Sequence, residues 1–518
     1  MSRLLKWFKP GWIWFDDHIL EYLSFALLIF IPLYPKIPIT EILPGYIVRL
    51  RLDDLLVAFA FIIWVIWLIR KKVTLKGNPL VIPIAIYLLV GLLSSLSAIF
   101  ITKTVPPQSP HVEKLFLHFL RRFEYFSVFF IFFSSIKSLA QIKKYVYTAA
   151  IVLLFVTLYG FGQKYLYWPA FSTMNREFSK GVKLYLSEHA RVLSTFGGHY
   201  DLASYLMIVL TLFIPIIFVV KKLWHKSLFL LASIAGFWLL ILTVSRTSFI
   251  AYVVSITVAF VFLAFKKSWF WAFSRLVIVL TLSIFVMLSF GDLSERFAHI
   301  LKLDRLNSIV TSPIKKNPPT GNQVAYLEVS PKSDMPPSTQ KPTDRPSDVY
   351  EDIPNYYNEG TTAVAIPRVY SQNAVQYDLS TSIRLDYTWP KAIEGFSRNP
   401  LFGSGYSTLT KRNIADFTEA ESTDNDFLRS LGETGLLGFL TFFGILAYTI
   451  WYSISNFKKI NDIFYATIVA GIVAATVGLL VNAIYIDVFE ASKVAYTYWI
   501  LTAILLATVS LATKKQKS

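Results

Sequence analysis

Asp424, Asn425 and Asp426 stand at the head of an apolar run in the stretch "ESTDNDFLRSLGETGLLGFLTFFGIL", Glu421 to Leu446. A carboxylate is costly to hold in hydrocarbon, so such a cluster belongs at a membrane boundary, beside cations, or at a site. Cations are available. Arg191 precedes "STFGGHYDLASYL", Arg246 lies in "LTVSRTSFIAY", and Arg384 opens "RLDYTWPKAIEGFSRN". Arginine forks match phosphate oxygens and stay charged when partly desolvated. Beside a bound diphosphate, Asp424 can take the proton of an attacking hydroxyl, with His199 and Glu421 as lesser candidates for the same general-base work. His189 is the other histidine near these segments, but His199 lies closer to the following apolar run. Arg191, Arg246, Arg384 and Asn425 are the candidate diphosphate and substrate ligands. No acidic pair has metal-ligand spacing, so the expected chemistry is metal-independent and uses no cofactor. The "GSG" at Gly403–Gly405 is too short for a phosphate loop.

The elements that must hold these residues are membrane helices. The 518 residues are 54% hydrophobic and 16% aromatic, with a mean hydropathy of +0.52. Apolar runs long enough to cross roughly 30 Å of hydrocarbon are centred near Leu27, Ile62, Leu88, Phe129, Leu154, Val209, Phe237, Ile256, Val279, Leu446, Ala474 and Leu505. The expected fold is therefore an all-α polytopic membrane protein of about twelve transmembrane helices. Arg70-Lys71-Lys72, Lys143-Lys144, Lys221-Lys222, Lys266-Lys267, Lys458-Lys459 and Lys514-Lys515 each follow an even-numbered run. Basic connections favour the cytoplasmic side, so both termini are predicted to be cytoplasmic, with the arginine segments and the Asp424 cluster facing outward, to periplasm or cell exterior.

Three parts follow. Residues 1–290 form a membrane domain of nine helices with an outer loop at 162–200. Residues 291–429 form a large outward loop between helices nine and ten, and residues 430–518 hold the last three helices. Within the loop, 313–380 is rich in Pro, Ser, Thr and Asn and reads as a flexible insert. "LSERFAHILKL" before it has helical spacing, as does the amphipathic run after it, which stops at Asn399-Pro400. "PLFGSGYST" is a turn in which Gly403 and Gly405 supply unusual backbone angles. The first eighteen residues read as an interfacial helix rather than a cleavable signal.

The net charge of +17 is accounted for by these anchors and suits an anionic inner leaflet, and nucleic-acid binding is not expected. With no cysteine, disulfides and thiolate metal sites are excluded. Plainer roles stay open at this stage. The arginines can be loop cations, Asp424 can be the N-cap of the following helix with Glu433 an exposed residue in its early turns, and His199 can be a polar loop residue. Ser245, Thr247 and Ser248 can cap the turn at Arg246.

The ordered set "RVLSTFGGHYDLASYL", "LTVSRTSFIAY", "IRLDYTWPKAIEGFSRNPLFGSGYSTL" and "TDNDFLRSLGETGLLGFLTFF" resembles the O-antigen ligase and Wzy-type polysaccharide polymerase superfamily, over about Ala190–Phe443. Strict ligases carry His-Asn where this chain has Asp424-Asn425, a form associated with polymerases and other glycan-transferring relatives. The resemblance implies a glycosyltransferase on the outer leaflet of the cytoplasmic membrane. It would move or polymerise glycan from a polyprenyl-diphosphate-linked donor to a hydroxyl on a glycan, lipid or protein acceptor. It also implies that Arg191 and Arg246 hold the donor diphosphate and that Asp424 occupies the place of the ligases' catalytic His. A transporter or flippase of lipid-linked oligosaccharide is the rival; it would place ionisable residues near the bilayer midplane, whereas most charges here fall at helix ends.

Overall fold

The protein is described by a computed structural model covering residues 2–43, 46, 48–174, 176–187, 190–289, 373, 379–409 and 422–514. All twelve predicted centres fall inside long helices. These are α1 (Ser2–Leu33), α2 (Leu52–Ile69), α3 (Val81–Phe100), α4 (Ser109–Ser135), α5 (Leu139–Tyr165), α7 (His199–Ile217), α8 (Leu223–Leu242), α9 (Arg246–Ala264), α10 (Trp269–Ser289), α13 (Asp426–Phe457), α14 (Ile463–Asn482) and α15 (Ser492–Lys514). Short helices α6 (Arg176–Ser179), α11 (Leu379–Ile383) and α12 (Trp389–Arg398) lie in the connections. Strands among the described residues are confined to a small antiparallel hairpin, Pro38–Glu41 with Arg49–Arg51.

Ten of the long helices are apolar enough to span a membrane; α1 and α4 are the exceptions. The expected interfacial segment at the N-terminus is continuous with the first span, so α1 carries Asp16, Asp17 and Glu21. In α4 the charges Glu113, Lys114, Arg121, Arg122 and Glu124 crowd the first sixteen residues. Arg122, at the middle of α4, pairs with Glu490, which precedes the first residue of α15. The N-terminal half of α4 therefore extends past the start of α15, which explains why it is not apolar.

Two compact units are present, Met1–Ser294 with Lys391–Ser518, and Glu295–Pro390. In the first, α7 is the most enclosed span, 89% of its apolar window being buried against 17% for α10. α14 packs on both α7 and α9, and α15 on α4, which places α7, α14 and α15 at the centre. The basic connections meet one another: Lys266 Nζ donates to the carbonyls of Lys458 (2.9 Å) and Ile460 (2.8 Å). At the other end of these helices, Asn482 Nδ2 reaches Ser204 Oγ at 3.3 Å, Asn425 Nδ2 donates to Ile484 O at 3.1 Å, and Lys493 Nζ to Thr195 O at 2.8 Å. The starts of α7, α13 and α15 thus gather around the C-terminal end of α14.

In the second unit, α11 runs into a single π-helical turn, Arg384–Thr388, and α12 begins at its end. The predicted amphipathic run is helical and ends at Arg398, before Asn399-Pro400 as expected. The helix expected at "LSERFAHILKL" lies outside the described residues, as does the insert 313–380 apart from 373, 379 and 380.

Candidate functional site

The segment Arg191–Gly198 is irregular, and every turn of it is tied down. Ser194 takes a left-handed backbone (φ 51°). Its N–H donates to Gln163 Oε1 at 2.7 Å, its hydroxyl to Val156 O at 2.7 Å, and its carbonyl accepts from Gln163 Nε2 at 2.8 Å. Thr195 Oγ1 donates to Pro32 O (2.5 Å), and buried Lys493 spends its ammonium on the carbonyls of Pro32 (3.1 Å), Tyr34 (2.6 Å) and Thr195 (2.8 Å). Nearby, Lys36 pairs with Asp53 at 3.5 Å, and burial pulls its ammonium below the usual lysine range against the pull of that carboxylate. The Gly197-Gly198 break then starts α7 at His199, which is 3% exposed. Arg191 Nη1 lies 2.9 Å from His199 Nε2 and 3.3 Å from Tyr200 Oη. A guanidinium only donates, so Nε2 is the acceptor and the ring proton sits on Nδ1.

Arg246 is the first residue of α9, with Ser245 as N-cap, its Oγ accepting from Ser248 N. The reversal from α8 to α9 passes through Val244 at φ 54°, a left-handed value that a β-branched residue resists. Val192 N donates to Leu242 O at 3.2 Å. The residue after Arg191 is thereby tied to the turn that presents Arg246.

At the start of α13 the N-cap is Asn425 rather than Asp424. Asn425 Oδ1 accepts from Leu428 N at 2.9 Å, and its Nδ2 is engaged with Ile484 O. Asp424 lies outside the helix, half-buried, in a left-handed conformation (φ 51°) with Ser422 Oγ 2.8 Å from its Oδ1. Asp426 is buried against the α14–α15 connection, where its Oδ2 accepts from Phe489 N (3.2 Å).

The turn "PLFGSG" clasps α13. Gly403 and Gly405 have φ of 69° and 94°, and Gly435 interrupts α13 with φ 67°, ψ −168°. Across this interruption Ser404 N donates to Gly432 O (2.9 Å), Gly405 N to Glu433 O (2.8 Å), Leu436 N to Pro400 O (2.8 Å) and Leu437 N to Leu401 O (3.2 Å). Backbone groups freed by the break in the helix are therefore satisfied by the turn. Glu433, an exposed residue in the reading of Asp424 as a helix cap, is 2% exposed. The clasp folds over it, and its Oε1 accepts from Ser407 N at 3.0 Å.

Glu433 belongs to a buried charged cluster. Arg429 pairs with Asp487 (2.9 Å), Glu433 (3.3 Å) and Glu490 (3.9 Å). Arg122 pairs with Glu490 and, at 3.6 Å, Glu433, and lies 4.7 Å from the centre of the Tyr406 ring. Burial holds the Tyr406 hydroxyl well above the usual phenol range. Arg122, Tyr406, Arg429, Glu433 and Glu490 line a small cavity of about 40 Å³ walled by aromatic rings such as Phe126 and Trp499. Arg122 lies at the middle of α4, Arg429 and Glu433 in the opening turns of α13, and Asp487 and Glu490 in the α14–α15 connection. None of Arg122, Arg429, Asp487 and Glu490 stood out in the sequence; the available signal was Arg121-Arg122 and Glu124 within an otherwise aromatic helix.

The structure joins Arg191 to His199, ties that segment to the turn bearing Arg246, and sets Asp424 and Asn425 where α13 meets the end of α14. Arg384 is buried at the head of the π turn in the separate unit, where neighbouring Asp386 accepts from Ser382 Oγ (2.7 Å) and Asn373 Nδ2 (2.6 Å). Glu421 and His189 lie outside the described residues. Among the described residues no group of three His, Cys, Asp or Glu is placed to hold a metal ion.

Fold and composition define a multi-pass membrane protein. Residues 228–443 match the family model of the O-antigen ligases, which supports the resemblance to the O-antigen ligase and Wzy-type superfamily. No curated protein matches it. The family supports an O-antigen ligase- or polymerase-like activity, with a lipid-linked glycan donor and a glycan acceptor in general terms.

Proposed function

We propose that the protein transfers glycan from a polyprenyl-diphosphate-linked donor to an acceptor hydroxyl, at the outer leaflet of the cytoplasmic membrane and without a metal. The observation that carries this reading is the anchored Arg191–His199 pair, tied through Val192 to the Arg246 turn. Two guanidinium groups presented from braced backbone suit a diphosphate, whose charge grows as it leaves the anomeric carbon; preorganised cations stabilise that growth. Arg384 is a third candidate ligand. The acceptor oxygen bonds to the anomeric carbon while the bond to the diphosphate oxygen breaks, and the electron pair leaves with the diphosphate. Asp424 takes the acceptor proton. Its place beyond the cap supports this role, because the helix start does not depend on its carboxylate. Asn425 serves by holding that turn, and His199 by fixing Arg191. The outward orientation rests on the basic connections, which meet at the opposite helix ends from the Arg191 segment and the Asp424 turn.

The test uses purified protein in detergent with a polyprenyl-diphosphate-linked oligosaccharide and a panel of acceptors, following released polyprenyl diphosphate and glycan size. Release with stepwise lengthening identifies a polymerase, and release with one block moved to a different acceptor a ligase. Donor binding without release overturns the reading in favour of transport.

A further inference from the structure

Asp487 stands in the connection between α14 and α15, remote in sequence from every motif described above, and its side chain is 8% exposed. Its carboxylate collects the turn around Asp424. Oδ1 lies 2.8 Å from Asn425 N and 3.3 Å from Thr423 Oγ1; Oδ2 lies 3.1 Å from Thr423 N, 2.9 Å from Ser422 Oγ and 2.9 Å from Arg429 Nη1. The backbone N–H groups on both sides of Asp424 therefore point at one buried carboxylate. Residue 424 is left between them in its left-handed conformation, side chain partly exposed. A non-glycine residue holds such an angle only where its surroundings over-determine it, and Asp487 supplies that constraint.

We propose that Asp487 is the positioning residue of the Asp424 base, acting through the 422–425 turn. The proposal rests on the transfer reading above. Ser422 completes the link. Its hydroxyl lies 2.8 Å from Asp424 Oδ1 and 2.9 Å from Asp487 Oδ2 and carries a single proton, so the two carboxylates share one donor. Arg429 compensates the charge of Asp487 and is itself held by Glu433, whose Oε1 is fixed by Ser407 N in the glycine clasp. A continuous chain of contacts thus runs from the "PLFGSG" turn through Glu433, Arg429 and Asp487 to the base. It gives Glu433 a role in placing Asp424 without touching substrate. Asp487 takes no proton in the reaction; it fixes the direction in which Asp424 presents its carboxylate.

The experiment is a double-mutant cycle on the full chain in detergent, with polyprenyl diphosphate release as the readout. Asp487→Asn lowers kcat on the order of 10²-fold, the scale of an ångström-level misplacement, while the KM for donor is unchanged. On an Asp424→Asn background the same substitution produces no further loss. Ser422→Ala removes an exposed hydroxyl and follows the same pattern with a smaller effect, which carries the test if Asp487→Asn does not fold. Losses that multiply in the double variants, or a donor KM that rises in step with the fall in kcat, overturn the positioning role while leaving transfer intact. A wild-type protein that binds donor and releases nothing overturns the transfer reading, and this proposal with it.

Discussion

Gly403 and Gly435 each occupy the space in which the other would need a side chain. A Cβ on Gly403 would lie 2.6 Å from Gly435 N, and a Cβ on Gly435 would lie 2.6 Å from Gly403 N; both residues also have positive φ. This mutual exclusion lets the "PLFGSG" turn cross the interruption in α13 and cover Glu433.

Gly403→Ala and Gly435→Ala should both be strongly destabilising. Backbone strain and overpacking each cost about 1–3 kcal/mol at such a position, and here the obstructing atoms are backbone. Gly444→Ala, further along α13, adds a Cβ with nothing within 4 Å of it and should be neutral or slightly stabilising. Thermal unfolding followed by intrinsic fluorescence separates the cases. Equal midpoints for Gly435→Ala and Gly444→Ala would contradict the clasp.

Arg191→Lys and Arg246→Lys should weaken donor binding roughly 10- to 100-fold, the effect of losing a charge-assisted hydrogen bond of about 1.5–3 kcal/mol. A point charge cannot reproduce a fork. For Arg191 the loss also removes the guanidinium contact to His199 Nε2. Titration of polyprenyl diphosphate against the purified variants measures this, and wild-type affinity in both would argue against diphosphate recognition.

Asn425→Ala should cost stability, about 0.5–2 kcal/mol for a lost N-cap. Asp424→Asn should leave the unfolding midpoint near that of the wild type, because the cap is elsewhere. The reverse order of midpoints would return Asp424 to a structural role.

Transfer should persist in excess chelator. Activity that vanished with EDTA and returned on adding a divalent cation would remove the metal-independent part of the proposal.

The helices were legible because an apolar run of spanning length has few alternatives in a bilayer, and each predicted centre lies within a long helix. The glycine turn was legible from Gly403 and Gly405, whose residue type signals the angle they adopt. The surroundings of the candidate site were less so. Glu433 reads as an exposed residue in the early turns of an amphipathic helix start, and only the clasp, formed by a turn some thirty residues earlier, buries it. Arg122 and Glu490 meet across a separation of 368 residues, and Arg429 and Asp487 across 58. Such pairings depend on which helices are neighbours, information that hydropathy does not contain. The choice between Asp424 and Asn425 as cap turned on one residue of register, below what helix-end signals resolve.

The most direct measurement compares wild type and Asp424→Asn for release of polyprenyl diphosphate in a single turnover with bound donor and saturating acceptor. The account predicts donor binding unchanged and release slowed about 10²- to 10⁴-fold, the range of a general base. Release at the wild-type rate would contradict it.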